Sequence, residues 1–349
     1  MINEEPSNAT SMFEYMWRKY KGTGAHVEIY TPAILLFALM LAGYAGNSLV
    51  IAATWKNKCV PPALCWNLPS LQGSCNIFIS IACFADILHQ SSHWVYLFVV
   101  LTGRNFIPLT NCLYLNTLPQ IGVTLSISMT FLVGIDRLVS ILAPILYRRV
   151  HVKTFVLASV AITLLVAAVF LHASYSFAWS EEGGKTEVIC VIIDSFGRPE
   201  NAGRWFLLCV SVNLLDLVVY SVCWLLIRTH APQTNDANNR VFKSLLVLML
   251  IITTGWLLNA FVMGIFLPLA AVPVSEHYFF TTYFGLLPNL ASAANVIPLW
   301  VFSHEYRRTF KRLLVPLCPC LQRTKLLPVH TMTAAHTSEH TKSGGNTAG

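Results

Sequence analysis

Seven apolar stretches constrain this chain more than anything else in it: Thr31–Trp55, Asn76–Val100, Leu109–Leu142, Thr154–Trp179, Arg204–Ile227, Val241–Leu269 and Tyr278–Phe302. Each is long enough, at about 1.5 Å per residue, to cross roughly 30 Å of hydrocarbon as a helix. Lipid offers no water to stray backbone groups, so only helices and closed barrels span it. The alternation of a barrel strand is absent from these runs. The expected fold is therefore all-α, a seven-transmembrane helix bundle. Composition agrees, with 55% hydrophobic and 11% charged residues, where soluble domains carry about 25% charged. The net charge of +7 is spread among apolar runs rather than gathered on one soluble face. The expected partner is a lipid bilayer, and nucleic acid is not expected.

The loops set the orientation. Lys56 and Lys58 follow the first span, Arg148, Arg149 and Lys153 the third, and Arg228, Arg240 and Lys243 flank the link from fifth to sixth. Arg307, Arg308, Lys311 and Arg312 follow the seventh. Basic loops stay cytoplasmic, which puts the N-terminus outside a multi-pass plasma-membrane protein. The first thirty residues lack the apolar core of a cleavable signal peptide, and Asn8 opens an Asn-Ala-Thr glycosylation acceptor. Residues 1–30 read as an extracellular segment, 31–314 as the membrane domain and 315–349 as a disordered cytoplasmic tail. His304–Leu314 reads as a short amphipathic eighth helix, with Phe310, Leu313 and Leu314 toward lipid and the basic residues at headgroups. Cys318 and Cys320 follow at a depth suited to palmitoylation, with inert cytosolic thiols as the plainer alternative.

Ionisable and amide residues inside spans are costly and need a reason. The first span contains Gly46-Asn47-Ser48-Leu49-Val50, the second Ala82-Cys83-Phe84-Ala85-Asp86, and the third ends in Asp136-Arg137-Leu138 ahead of Pro144. In identity, order and spacing these resemble the rhodopsin-like G-protein-coupled receptors. Finer wording narrows the likeness. Gly73-Ser74-Cys75-Asn76, Phe84 through Gln90, Leu101-Thr102-Gly103, Ile135 through Leu138 and Phe242-Lys243-Ser244-Leu245 look like the nematode serpentine chemoreceptors of class SX, over most of residues 31–314.

The resemblance implies a disulfide between Cys112, at the outer end of the third span, and Cys190 in the acidic loop after the fourth. It implies an intramembrane polar cluster of Asn47, Asp86, Ser126, Ser292 and Asn295, like the sodium site of related receptors. Such a cluster suits a small cation or a proton, and a hydrogen-bonded packing cluster without an ion is the alternative. Arg137, held by Asp136 and later received by Tyr220, is implied as the switch for a heterotrimeric G protein. Asp216, one turn before Tyr220, has no role in this scheme. Two departures stand out. The seventh span reads Asn295-Val296-Ile297-Pro298, with its proline displaced and no tyrosine, and Trp256 in the sixth lacks a following proline.

Where amine receptors carry an aspartate, eighteen residues before Arg137, this chain has Pro119, which argues against a biogenic amine. Pocket candidates are Trp94, Asn116, Gln120, Tyr175, Trp256, Asn259, Phe280 and Tyr283, with His93, His172 and Phe279 nearby. They suit a small molecule; several of them equally suit lipid-interface anchors. The acids Glu181, Glu182, Glu187, Asp194 and Glu200 keep a basic neuropeptide as the alternative ligand. Gly183-Gly184 ahead of an apolar run suggests a hairpin lid. No internal repeat marks a transporter and no His-Glu-x-x-His type motif marks an enzyme, so a receptor that is not an enzyme is expected. Cys59–Gln72, apolar and bearing three prolines, fits neither lipid nor family and reads as a gene-model insertion, which sequencing the transcript tests.

Overall fold

The computed structural model describes residues 12–56, 74–147, 149–230 and 236–315. Asn8, Arg148, the Cys59–Gln72 stretch, Cys318, Cys320 and the tail lie outside them. Five helices are long and apolar enough to cross a membrane unaided. They are α2 (Val27–Lys56), α5 (Leu109–Leu142), α7 (Val152–Ala178), α8 (Pro199–His230) and α9 (Asp236–Phe261) with its continuation to Phe266. A bent chain of α11 (Val274–Phe284), α12 (Leu286–Ala293) and α13 (Val296–Phe302) supplies a sixth crossing. The remaining one, second in order, is divided into α3 (Ser74–Gln90) and α4 (Ser92–Leu101). Ser91 between them keeps right-handed helical angles, φ −62° and ψ −18°, and its hydroxyl bonds the Leu88 carbonyl at 2.6 Å. The chain therefore tightens for one turn without leaving the bundle.

The third span, α5, is the axis, and α3, α7 and α8 pack on it. Its approach to α3 depends on Gly122, where a Cβ would lie 2.6 Å from the His89 backbone nitrogen and 2.7 Å from the Ala85 carbonyl. The sixth crossing winds into a π turn at Val262–Phe266, continues as α10 (Leu267–Leu269) and so places Pro268 where no α-helical bond is lost. The seventh bends by 40° between α12 and α13. Pro298 has no N–H for the Ala294 carbonyl, and Ile297 N bonds that carbonyl instead at 2.9 Å. The displaced proline thus still breaks the helix beside Asn295.

At the C-terminal end, α14 (His304–Leu314) is capped by the Ser303 hydroxyl, which accepts from Tyr306 N. Phe310 corrects the lipid-facing expectation. It is fully buried, stacked on Trp300 with ring centroids 6.0 Å apart, and Leu313 packs beside the same cluster. The helix docks on the bundle, where Tyr306 meets Thr54 at 3.1 Å.

At the opposite end, α1 (Met12–Tyr20) lies across the bundle with Tyr15, Met16 and Tyr20 buried. They join Ile29, Ala33 and Leu36 of α2, Tyr96 and Val100 of α4, and Tyr278 of α11. Asn105, at a positive φ of 62°, donates to the carbonyls of Tyr20 and Gly24, both at 2.8 Å. The hairpin expected after Gly183-Gly184 does not form. Those glycines lie in a 3₁₀ turn (Gly183–Lys185), and β2 (Glu187–Val188) pairs antiparallel with β1 (Ile107–Pro108), from the link between second and third spans. Cys190 is bonded to Cys112, with Cα atoms 5.5 Å apart. That crosslink ties the loop to the top of α5 and leaves no partner strand within the loop.

Candidate functional site

Three polar or hollow features line up along the bundle axis. Nearest the N-terminal end is a cavity of about 360 Å³. Its floor is Trp256, its roof Val191–Ile193, and its polar points are His89, His93, Asn259, Thr281, Thr282 and Asn289. None of its twenty wall residues is Asp, Glu, Lys or Arg. His93 bonds Asn289 Oδ1 at 2.8 Å across the second and seventh spans. Asn259 lines the cavity as a half-buried residue, while its Oδ1 is itself buried without a partner. Trp256 stacks on His89 at 6.4 Å and meets Trp205 edge-on at 6.0 Å.

Of the residues singled out from sequence for a pocket, His93, Trp256 and Asn259 stand in this wall. The others stand elsewhere. Trp94 is 51% exposed and packs edge-on against Phe37, as an outward-facing ring. Tyr283 is 40% exposed, and Phe280 sits between Phe266 and Phe284. Asn116 donates to Cys190 Sγ at 3.1 Å. Gln120 donates to Ser195 Oγ at 2.6 Å, bracing the loop behind the roof. Tyr175 bonds Thr117 at 2.7 Å, and His172 is exposed. Spans place these side chains at the right height, but helix rotation turns most of them away. Sequence reasoning missed His89 and Asn289. Only the four-residue step from His89 to His93, one face of one helix, hinted at the first.

Mid-bundle, the Asp86 carboxylate accepts from Ser126 Oγ at 2.5 Å and Asn295 Nδ2 at 2.7 Å. Asn295 also donates to Asn47 Oδ1 at 3.1 Å, and Asn47 to the Ser292 carbonyl at 3.4 Å. All five residues are buried, and Asn295 Oδ1 has no partner. The first, second, third and seventh spans therefore share one polar knot, held in place by the bend at Asn295.

Near the C-terminal end, Asp136 is 1% exposed and ion-paired to Arg137. It also accepts from Ser74 Oγ and from Tyr147 OH at 3.0 Å. Tyr147 lies on α6 (Pro144–Tyr147) and accepts in turn from Arg137 Nη2 at 3.2 Å. Neither Ser74 nor Tyr147 was legible as part of this lock, because nothing in local spacing ties the link after α5 back to Asp136. Tyr220 is buried one helical turn from the lock against Gly134, where a Cβ would fall 2.9 Å from its ring. Its hydroxyl and both carboxylate oxygens of Asp216 have no hydrogen-bond partner.

Above the cavity, the loop acids are occupied. Asp194 Oδ2 accepts from the backbone N–H groups of Cys190 and Val191 at 3.0 and 3.2 Å, and burial pushes its pKa up to about 7. Glu187 takes the Lys21 ammonium and the Trp17 indole N–H, and those donors hold its pKa below the usual value. Glu181 pairs with Lys185 at 2.9 Å.

A seven-helix bundle with a buried cavity near one end, a polar knot at its middle and an Asp–Arg lock near the other is the architecture of a rhodopsin-like receptor. The chain belongs to the serpentine type 7TM GPCR chemoreceptor Srsx family, whose family model matches residues 40–314. No curated protein matches it. Membership makes it a multi-pass membrane receptor of a chemosensory class, and that class is not enzymatic.

Proposed function

We propose that the protein sits in the plasma membrane with its N-terminus outside, binds a small neutral molecule in the cavity above Trp256, and thereby drives a heterotrimeric G protein. The observation that carries the ligand class is the wall itself, with no Asp, Glu, Lys or Arg among its residues and the Asn259 side-chain amide among its few polar points. Pockets of this make-up hold largely apolar ligands oriented by one or two hydrogen bonds. A charged ligand would enter without a counter-charge, at a desolvation cost of several kcal/mol.

The peptide alternative draws less support. Three of the five acids that would attract a basic chain already have partners: Glu187, Asp194 and Glu181. The α1 helix also lies over the face a peptide would use.

Signal transfer would run along the axis. Trp256 packs both on the cavity side and against the core cluster that contains Met129, Tyr220 and Leu248. A ligand that displaces it biases the packing around Tyr220, and the Asp136–Arg137 lock is the bistable element at the far end. Asp86 and the free Asn295 Oδ1 offer oxygen ligands for a small cation or a place for a proton, either of which would tie the middle of the bundle to its resting arrangement.

The test is a G-protein reporter in cells exposed to pools of neutral apolar molecules and, separately, of peptides. The account expects a response to the first set. It also expects Asn259→Ala to raise the half-maximal concentration roughly tenfold, the loss of one hydrogen bond to the side-chain amide. A peptide response indifferent to Asn259 would overturn it.

A further inference from the structure

The cavity has an opening between two helices. It is bounded by Gly203 at the N-terminal end of the fifth crossing and Gly264 at the C-terminal end of the sixth. Both are exposed, and a Cβ at either would meet nothing within 4 Å. Below its N-terminal half α8 packs on α9, but it makes little contact with the π turn beyond Phe261. Around this gap Leu207, Phe261 and Ile265 are exposed at 66%, 50% and 49%, while Glu200 and Arg204, also exposed, stand beside Gly203 near the N-terminal end of α8. Apolar side chains toward the middle of the bundle and charged ones at its outer rim suit a mouth at the edge of the outer leaflet.

The other end of the cavity is closed. Leu36 and Val191 belong both to its wall and to the cluster under α1. Over that cluster α1 is fastened by Glu187 to Lys21 and Trp17, and by Asn105 to Tyr20 and Gly24. Tyr96 and Tyr278 bond across the second and seventh spans at 2.7 Å just beneath. The roof loop is bolted down by the Cys112–Cys190 disulfide.

From this we infer that the ligand reaches the cavity sideways from the outer leaflet, through the Gly203–Gly264 gap, and is a neutral molecule that partitions into lipid and carries a hydrogen-bonding group for the Asn259 amide. This rests on the reading of the cavity as the ligand site. The π turn fits the role. A π turn inserts a residue into the helix, and here it lies in the part of the sixth crossing that makes little contact with α8. The consequence is kinetic. A plug in the gap slows arrival and departure alike.

The experiment uses the full chain in lipid nanodiscs with N-phenyl-1-naphthylamine, a neutral lipophilic fluorophore with one N–H. The saturable part of the tryptophan-sensitised probe emission reports bound probe, and the part linear in probe concentration reports probe in lipid. The expected result is saturable binding weakened by Asn259→Ala. Gly203→Phe with Gly264→Phe should slow association and dissociation each about tenfold, whereas loss of wall contacts alone would speed dissociation; an unchanged thermal unfolding temperature certifies the fold of the variant. Gly203→Leu with Gly264→Leu should give a smaller slowing in the same direction. Loosening the cap with Lys21→Ala and Trp17→Ala should leave both rates as they were. Unchanged rates in the plugged variants, with faster binding in the loosened ones, would overturn the lateral route and leave the cavity reading standing. No saturable, Asn259-sensitive binding in the unaltered protein would sink the cavity reading and the route with it.

Discussion

In the proposed mechanism, Asp136 is the residue on which the resting state turns. It is fully buried and satisfied by Arg137, Ser74 and Tyr147 together. Removing one partner of a buried ion pair costs roughly 3–5 kcal/mol because the other charge is left uncompensated. Asp136→Asn should therefore free Arg137 and raise ligand-independent reporter signal, and Tyr147→Phe should do so more weakly, by about 1 kcal/mol. Equal basal signal in all three proteins at matched surface level would contradict the lock. Asp194 gives a second residue-scale expectation. Burial raises its pKa from 3.8 to about 7, so between those values the folded protein holds a proton that the unfolded chain has lost. Stability is then highest below the lower value, falls as pH rises through this window and levels off above it. Thermal unfolding in detergent should show this protein gaining on the order of a few kcal/mol between about pH 8 and about pH 4, and Asp194→Asn should flatten that part of the profile. Glu187 acts in the opposite sense. Its lowered pKa contributes stability that is lost as pH falls, so the two groups are separable by mutation. The polar cluster and the Asp–Arg pair could be proposed from the family resemblance, together with the cost of polar groups inside spans. Ser74, Tyr147, His89 and Asn289 could not, because their roles depend on contacts between segments far apart in the chain.

At the scale of elements, helix contacts set the tolerance of each glycine. Gly122 faces the backbone of α3, with His89 N 2.6 Å and Ala85 O 2.7 Å from a would-be Cβ. Backbone cannot step aside, so Gly122→Ala must push α3 and α5 apart, and overpacking of this kind costs about 1–3 kcal/mol. Gly43 is as crowded, but by the amide end of Gln90, a flexible side chain that can swing away. The expected order of thermal stability is unaltered protein, then Gly43→Ala close behind, then Gly122→Ala well below. The reverse order would mean that α3 and α5 are not in this register. The seven spans were legible because sustained apolar length is a one-dimensional signal. What sequence reading missed is where a helix breaks and what it docks on. The π turn and the division at Ser91 leave no strong mark in composition. Phe310 was assigned to lipid because an amphipathic pattern states which residues share a face, not whether that face meets bilayer or bundle. The expected hairpin failed for a related reason, since β2 found its partner in a strand some eighty residues earlier.

For the molecule as a whole, one chain of structural dependence joins the two ends: α1 and the disulfide-held loop close the cavity, the cavity rests on Trp256, Trp256 on the core around Tyr220, and that core on the Asp136–Arg137 lock. Family membership establishes a chemoreceptor of seven spans, and the axis described here is the route by which such a protein would turn occupancy into signal. The most direct measurement is ligand-evoked G-protein activation by the unaltered chain and by Arg137→Ala, at equal surface expression, with binding followed in the same membranes. The account predicts that the variant binds ligand as before and loses the G-protein response. A full response from Arg137→Ala would contradict it, and would mean that the lock is structural and the signal leaves the bundle elsewhere.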